Sequence, residues 1–417
     1  MRKIMIDISL LRSDRETYSK KLLKKDPSFD IDQLLAFDEV VRALRTSVED
    51  LRKKKNELAM AGSKGFTEEL RKESIALGVH LKKEDAELKK QELLYQQMIL
   101  TVPNLVQDAV PEGNKEANKE VRSYGKKKEF SFDIQNHMQL NDKHGWFDME
   151  AATAMSGGQF VLYHEMGAKV LYALTHLMIK NNVKHGFKPV IPPSLVQDHA
   201  LVNSGNLPKF KGDFYTIPED GLNLIPTAEV SLTNIYAKKI LTQEQLPIRH
   251  VAWTSCYRRE AGGYGAQERG LIRIHQFEKV ELYSIVEPEQ SDQELEKMTA
   301  AAENMLKQLG LHYRVMLLAG QDCSFASART YDIEVWLPGQ NRYYEVASCS
   351  NCTDFQSRRA GIRYRSSAGA KTKIVHTLNA SSLALPRLMV ALMEQGQQED
   401  GSIILPDLLQ QTMDMLW

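Results

Sequence analysis

Two long seams of apolar residues in the first hundred positions limit this chain's fold more than any other feature. Leu34, Phe37, Val41, Leu44, Val48, Leu51 and Leu58 recur at alternating spacings of three and four, with only Lys55 interrupting. A repeat sustained over more than three heptads specifies a helix that packs along one stripe against a partner helix. Gly62-Ser63-Lys64-Gly65 breaks the pattern. A second seam starts near Thr67, carries Leu70, Leu77, Leu81, Leu88, Tyr95 and Met98, and ends before Pro103-Asn104. Two such helices joined by a Gly-rich turn predict an antiparallel helical hairpin over residues 31–100. At about 30 residues per helix the arm is about 45 Å long and projects from any globular core. Arg52 to Lys55, Lys82-Lys83 and Lys89-Lys90 run along it, interleaved with Glu57, Glu84, Asp85 and Glu87. Solvated i,i+4 pairs and a local nucleic-acid contact both fit that pattern.

Residues 1 to 29 predict a short helical lead-in bearing Lys20, Lys21, Lys24 and Lys25. At 417 residues the chain is long enough for two domains. Pro103-Asn104-Leu105 and Val110-Pro111-Glu112-Gly113-Asn114 read as the linker, giving an N-terminal domain over 1–112 and a second over 113–417. Fifty-four basic side chains balance 54 acidic ones, so any nucleic-acid footprint is local. No apolar run approaches the roughly 20 residues that span a bilayer. MRKIMIDISLLRSDRE turns charged too early for a signal peptide. Four cysteines in so long a chain do not make a disulfide framework, which points to the cytoplasm.

Beyond residue 120 helix-like stretches (164–182, 229–241) mix with strand-like runs (248–260, 270–286, 313–318, 331–336). Neighbouring strands joined by a hairpin argue for an antiparallel sheet and an α+β class. There is no G-x-x-x-x-G-K-[ST] loop, and no G-x-G-x-x-G opens a helix after a strand, so nucleotide chemistry needs another cradle.

Cys256–Tyr283 offers one. Gly262, Gly263, Gly265 and Gly270 predict a long hairpin with a mobile tip. Counting by twos puts Arg258 and Glu260 on one face of the outgoing strand, and Arg273, Phe277 and Glu281 on one face of the return. Turned toward one cleft, they supply guanidiniums for phosphate, a ring for a base and carboxylates for an exocyclic amine. An exposed polar hairpin with incidental charges has the same alternation.

Tyr257-Arg258-Arg259-Glu260-Ala261-Gly262, followed by Gly270-Leu271-Ile272-Arg273-Ile274-His275-Gln276-Phe277-Glu278-Lys279-Val280-Glu281, resembles motif 2 of class II aminoacyl-tRNA synthetases in its seryl-tRNA synthetase form. His185–Pro193 resembles motif 1, the dimer-forming segment, and Gly205–Phe210 resembles a further family stretch, with Asn203-Ser204 standing where Gly-Thr is usual. Leu224–Val230 resembles the loop that contacts the amino acid, and Tyr344–Cys352 the stretch that holds ATP and magnesium, with Ala347 in place of Ser. Val375–Val390 resembles motif 3, with Ala380, Ser382 and Pro386 at positions where the family commonly has Gly. Asn379 or Ser381 would cap the motif 3 helix, and Pro386 would lie a turn inside it and kink it before Arg387.

The resemblance, to the bacterial type of the family, covers nearly the whole chain. It implies a class II antiparallel catalytic domain, a homodimer formed through motif 1, and an arm that grips tRNA(Ser) and, where that pathway exists, tRNA(Sec). It implies ATP-dependent formation of seryl-adenylate from L-serine, then transfer to the tRNA 3′ end, with Arg258 and Arg387 as the catalytic residues. ATP would contact Arg258, Arg259, Glu260, Arg273, Phe277, Glu345, Val346, Ala347, Ser348 and Arg387, and Mg²⁺ would bind at Glu345 and Ser348. Serine would contact Thr227, Ala228, Glu229, Arg258, Glu281 and Ser381. Cys349-Ser350-Asn351-Cys352 invites zinc, yet a second paired C-x-x-C is missing and the family's bacterial type has no zinc there. A ligase that loads a carrier protein would lack the arm. A non-enzymatic coiled-coil adaptor would have lost some of Arg258, Glu260, Phe277, Glu345 and Arg387, and all five are present.

Overall fold

The computed structural model describes residues 7–65, 67–260 and 270–417. The expected hairpin tip with Gly262, Gly263 and Gly265 lies outside the described residues. The described chain divides into two compact units between Pro103 and Asn104.

In the N-terminal unit the lead-in is two helices, α1 (Ile8–Ser13) and α2 (Arg15–Lys25), because Asp14 ends the first and caps the second through Thr17 N. Asp30 caps α3 (Ile31–Lys64) and Thr67 caps α4 (Glu68–Leu100), each accepting from a backbone N–H of the first turn. Leu34, Val41, Val48 and Leu51 of α3 and Leu88, Tyr95 and Ile99 of α4 are buried. One seam position escapes the periodicity. Asp38 is buried and accepts from Tyr95 Oη (3.1 Å), Arg42 Nε (2.8 Å) and Arg12 Nη1 (3.2 Å). Arg45–Glu92 and Arg52–Asp85 pairs, both 2.7 Å, cross between α3 and α4.

The larger unit is built on an eight-stranded sheet. Its strands in chain order are β1 (Lys119–Tyr124), β2 (Lys188–Pro189), β3 (Ile248–Tyr257), β4 (Gln276–Val286), β5 (Tyr313–Leu317), β6 (Arg329–Leu337), β7 (Arg342–Asn351) and β8 (His376–Ala384). Spatially they run β1-β5-β6-β7-β8-β4-β3-β2, antiparallel except for the short β2–β3 pair. The α+β expectation holds. Helices α5 (Glu165–Lys184), α8 (Ser291–Gln308) and α10 (Leu385–Gly396) pack against it, and α11 (Asp407–Leu416) packs on α5. Between them lie the short helices α6 (Asp198–Ser204) and α7 (Glu229–Asn234), and α9 (Phe355–Ala360) precedes β8.

Central strand β4 is buried on both faces from Lys279 onward. Val280, Leu282 and Val286 enter the main core, while Tyr283 and Ile285 join a second cluster with Ala228 and Leu232 of the α7 region. A strand covered on both sides has no solvent face, so its sequence loses simple polar–apolar alternation.

Several boundaries differ from expectation. Residues 104–112 belong to the larger unit, not to the first domain: Asn104 Nδ2 donates to the carbonyls of Ala326 and Cys352, both at 2.8 Å, and Val106 and Val110 pack with Met316, Leu318 and Cys323. The strand expected over 248–260 stops at Tyr257, and the one over 270–286 begins at Gln276 after a 3₁₀ turn at Gly270–Ile272. The helix expected over 229–241 ends at Asn234. Asn379 and Ser381 lie within β8 and cap nothing; α10 begins at Leu385, so Pro386 sits in its first turn. There a missing N–H removes no helical bond, and the expected kink does not arise.

Candidate active site

The site face of β4 carries Phe277, Lys279 and Glu281 at period two. Beside it the β3 register pairs Cys256 with Phe277 and Tyr257 with Gln276, and Arg258 N donates to His275 O at 2.9 Å just past the strand end. Glu260 then takes a positive φ of 50°, an uncommon conformation for a side chain with Cβ. Its carboxylate turns back onto Arg273, whose Nε lies 2.6 Å from Oε2. Alternation alone would have left these two side chains on separate strands with no contact. The Arg258 guanidinium carbon lies 5.2 Å from the Phe277 ring centre, and its Nε donates to Pro226 O at 3.4 Å. One cleft is lined by Arg258, Glu260, Arg273, Phe277, Glu345, Val346, Ser381 and Arg387, together with Lys279 and Pro386.

Deeper, Lys279 Nζ lies 2.6 Å from Glu281 Oε2 and donates to Thr227 Oγ1 at 2.7 Å; Thr227 in turn donates to Glu281 at 3.2 Å. Glu281 is 1% exposed and stands opposite Ser381 in the β4–β8 register. Half-buried Glu229 opens α7, where its Oε1 accepts from Asn379 Nδ2 (2.8 Å) and Gln356 Nε2 (2.5 Å). Burial first and the charge of Glu281 second push its carboxyl up to about 7, against the pull of the Gln356 hydrogen bond.

Arg387, in the first turn of α10, donates from Nε to Ile272 O at 3.1 Å and from Nη1 to Glu345 O at 2.7 Å. It borders a second cavity shared with Glu345, Ser348, Asp332, Asp322, Glu334 and Arg342. Asp332 pairs with Ser348 across β6 and β7. Burial first, then the neighbouring Glu345, raises the Asp332 carboxyl well above the usual range, and its Oδ1 is buried with no partner among the described residues.

Some expected contacts resolve into backbone positions. The side chains of Ala228, Val346 and Ala347 are buried in apolar clusters, so they can reach a ligand only through main-chain atoms. Arg259 is exposed, with its N–H on Asp213 O at 3.0 Å. Cys256, Cys323, Cys349 and Cys352 are buried in separate surroundings; Cys323 packs with Val106 and Met316, Cys349 with the main core, Cys352 with Phe355. Lys279, Gln356, Asn379 and Asp332 were missed as site residues. Lys279 was detectable, since the alternation that selects Phe277 and Glu281 passes through it; nothing local marks Gln356.

Residues 213–396 match the tRNA synthetase class II core domain shared by the glycine, histidine, proline, serine and threonine enzymes, which gives the sheet and its clefts their class. Residues 5–106 match the seryl-tRNA synthetase N-terminal domain. The serine--tRNA ligases of Nitratidesulfovibrio vulgaris and Geobacter sulfurreducens are each 42% identical over 98% of this chain and 98% of their own. Among solved structures, seryl-tRNA synthetase from Pyrococcus horikoshii complexed with ATP superposes with a TM-score of 0.93 at 30% identity, covering 98% of each chain. The cytoplasmic serine-tRNA ligase of Naegleria fowleri in complex with AMP gives 0.83 at 26%, covering 98% of this chain and 94% of its own. The chain belongs to the seryl-tRNA synthetase family.

Proposed function

We propose that this protein activates L-serine with ATP and transfers the seryl group to tRNA(Ser). The observation that carries this reading is the junction of two unlike sites on one sheet: a guanidinium-and-ring cleft at Arg258, Arg273, Phe277 and Arg387, and a buried carboxylate pocket at Glu281 beside it. The adenine would lie on Phe277, with Glu260 accepting from its amine and Arg273 released to the outer phosphates. A serine carboxylate oxygen attacks the α-phosphorus in line, and the bond to the bridging oxygen of pyrophosphate breaks. No side-chain nucleophile is required. Arg258 holds the serine carboxylate and α-phosphate together, and Arg387 offsets charge on the leaving phosphates. Glu229 takes the serine ammonium. Glu281 and Ser381 take the serine hydroxyl, so alanine would leave buried groups unpaired, worth about 10⁴-fold in discrimination.

Glu345 and Ser348 fit a magnesium ion: they offer hard oxygen donors on one strand, with the unpartnered Asp332 Oδ1 across from them. Among the described residues no group of three His, Cys, Asp or Glu side chains is placed to hold a metal, so water and phosphate oxygens would have to complete the shell. When bound, Mg²⁺ would neutralise phosphate charge.

Exposed Lys53, Lys54, Lys82 and Lys83 on α3 and α4 would meet the tRNA backbone. Ile191 is 97% exposed, and Tyr172 and Val183 of α5 are also open, an apolar set that a two-fold partner would cover to make a homodimer. Among the described residues no helix is long and apolar enough to cross a membrane. Serine charging of total tRNA by the full chain, against a chain lacking residues 31–100, tests the division of labour. Intact adenylate formation with lost charging supports it, and normal charging without the arm rejects it.

A further inference from the structure

One buried amide stands behind the proposed serine pocket without touching either cleft. Gln356, in α9, is fully buried, and every hydrogen-bonding capacity of its carboxamide is used. Nε2 donates to Ser204 O (3.0 Å) and to Glu229 Oε1. Oε1 accepts from Tyr283 Oη (3.0 Å) and Thr377 Oγ1 (2.8 Å). The orientation is forced, because a backbone carbonyl can only accept; turning the amide over would set its oxygen against Ser204 O. Four elements meet at this side chain: α6 through Ser204, α7 through Glu229, β4 through Tyr283 and β8 through Thr377.

We propose that Gln356 is the positioning residue for amino-group recognition: it aims the Glu229 carboxylate at the substrate. The inference rests on the reading of Glu229 as the partner of the serine ammonium. With Oε1 bound by two amide donors, from Gln356 and Asn379, the rotamer of Glu229 is fixed before substrate arrives, which saves ordering entropy on binding. The Gln356 donor also opposes the burial and the nearby Glu281 that favour the neutral acid; Lys279 and Arg258 act in the same sense from β4 and from the end of β3. An oxygen in place of Nε2 would reverse the effect. Through Ser204 O the same amide also ties the end of α6 to the carboxylate.

The test is serine-dependent ATP–pyrophosphate exchange by the full chain, with KM for serine and for ATP measured separately between pH 6 and 8. Gln356→Met keeps the volume and removes both donors; serine KM should rise about ten- to a hundredfold while ATP KM stays within about twofold. The pH midpoint of the serine KM should also move upward, which a merely structural role would not produce. Thr377→Val removes one hydroxyl donor to Oε1 and should raise serine KM about threefold, again selectively. Should Gln356→Met fail to fold, Thr377→Val decides alone. An unchanged serine KM, or equal losses for serine and ATP, overturns the proposal while the wild-type activity leaves the proposed function standing. Absence of serine-dependent exchange in the wild-type chain would overturn both.

Discussion

Lys279 Nζ lies 2.6 Å from Glu281 Oε2, two residues apart on the site face of β4, and both side chains are buried, at 5% and 1% exposure. The proposed serine pocket therefore contains its own counter-ion. Removing one partner leaves an uncompensated buried charge, which costs about 3–5 kcal/mol. Glu281→Ala should lose serine-dependent exchange and also melt earlier. The double variant Lys279→Met/Glu281→Gln, with no charge left behind, should regain most of the stability but none of the activity. Thermal unfolding of the three proteins side by side checks this; equal melting temperatures for the single and double variants would count against a buried pair.

Serine binding should weaken as the medium becomes acidic. The Glu229 carboxyl is raised from 4.5 to about 7 by burial and by Glu281, so below that value the pocket holds a neutral acid facing an ammonium. In the folding equilibrium the sign is opposite. A raised carboxyl contributes stability below its unfolded value of 4.5, and that contribution is lost as pH rises through about 7. Serine KM should therefore fall between pH 6 and 8 with Glu229 intact, and Glu229→Gln should flatten the profile at a high KM.

Pro386→Ala should be nearly silent. The residue occupies the first turn of α10, where its N–H would have no helical partner, so the change should alter stability by less than about 1 kcal/mol. ATP KM should be unchanged, because Arg387 is held by Ile272 O and Glu345 O rather than by a kink. A several-fold rise in ATP KM would mean the proline ring itself sets the arginine.

Chelation separates the two metal ideas. EDTA should abolish adenylate formation and added Mg²⁺ restore it, through Glu345 and Ser348. A zinc-selective chelator should leave both activity and melting temperature alone, since the four thiols sit in separate buried surroundings.

Much of this was legible in the sequence because its signals are local. The heptad seams gave both arm helices, and period two on β4 found Phe277 and Glu281. What escaped depends on contacts made far along the chain. Glu260 and Arg273 pair only because Glu260 adopts a positive φ, which no alternation rule anticipates. Asp38 occupies a seam because Tyr95, 57 residues on, supplies a hydroxyl. Gln356 gathers Ser204, Glu229, Tyr283 and Thr377 from four elements, and a lone Gln on a short helix carries no pattern. The turn before Arg387 was misplaced for another reason. β8 runs on through Ala384, with Leu383 at a φ of 75°, so the helix starts late enough to accept Pro386.

The most direct measurement is ATP–pyrophosphate exchange by the full chain with serine, alanine and threonine offered singly. A pocket built around Glu281 and Ser381 for a hydroxyl predicts exchange with serine, and alanine lower by about 10⁴-fold in kcat/KM. Exchange with alanine at a rate comparable to serine, or none with serine, would contradict the account.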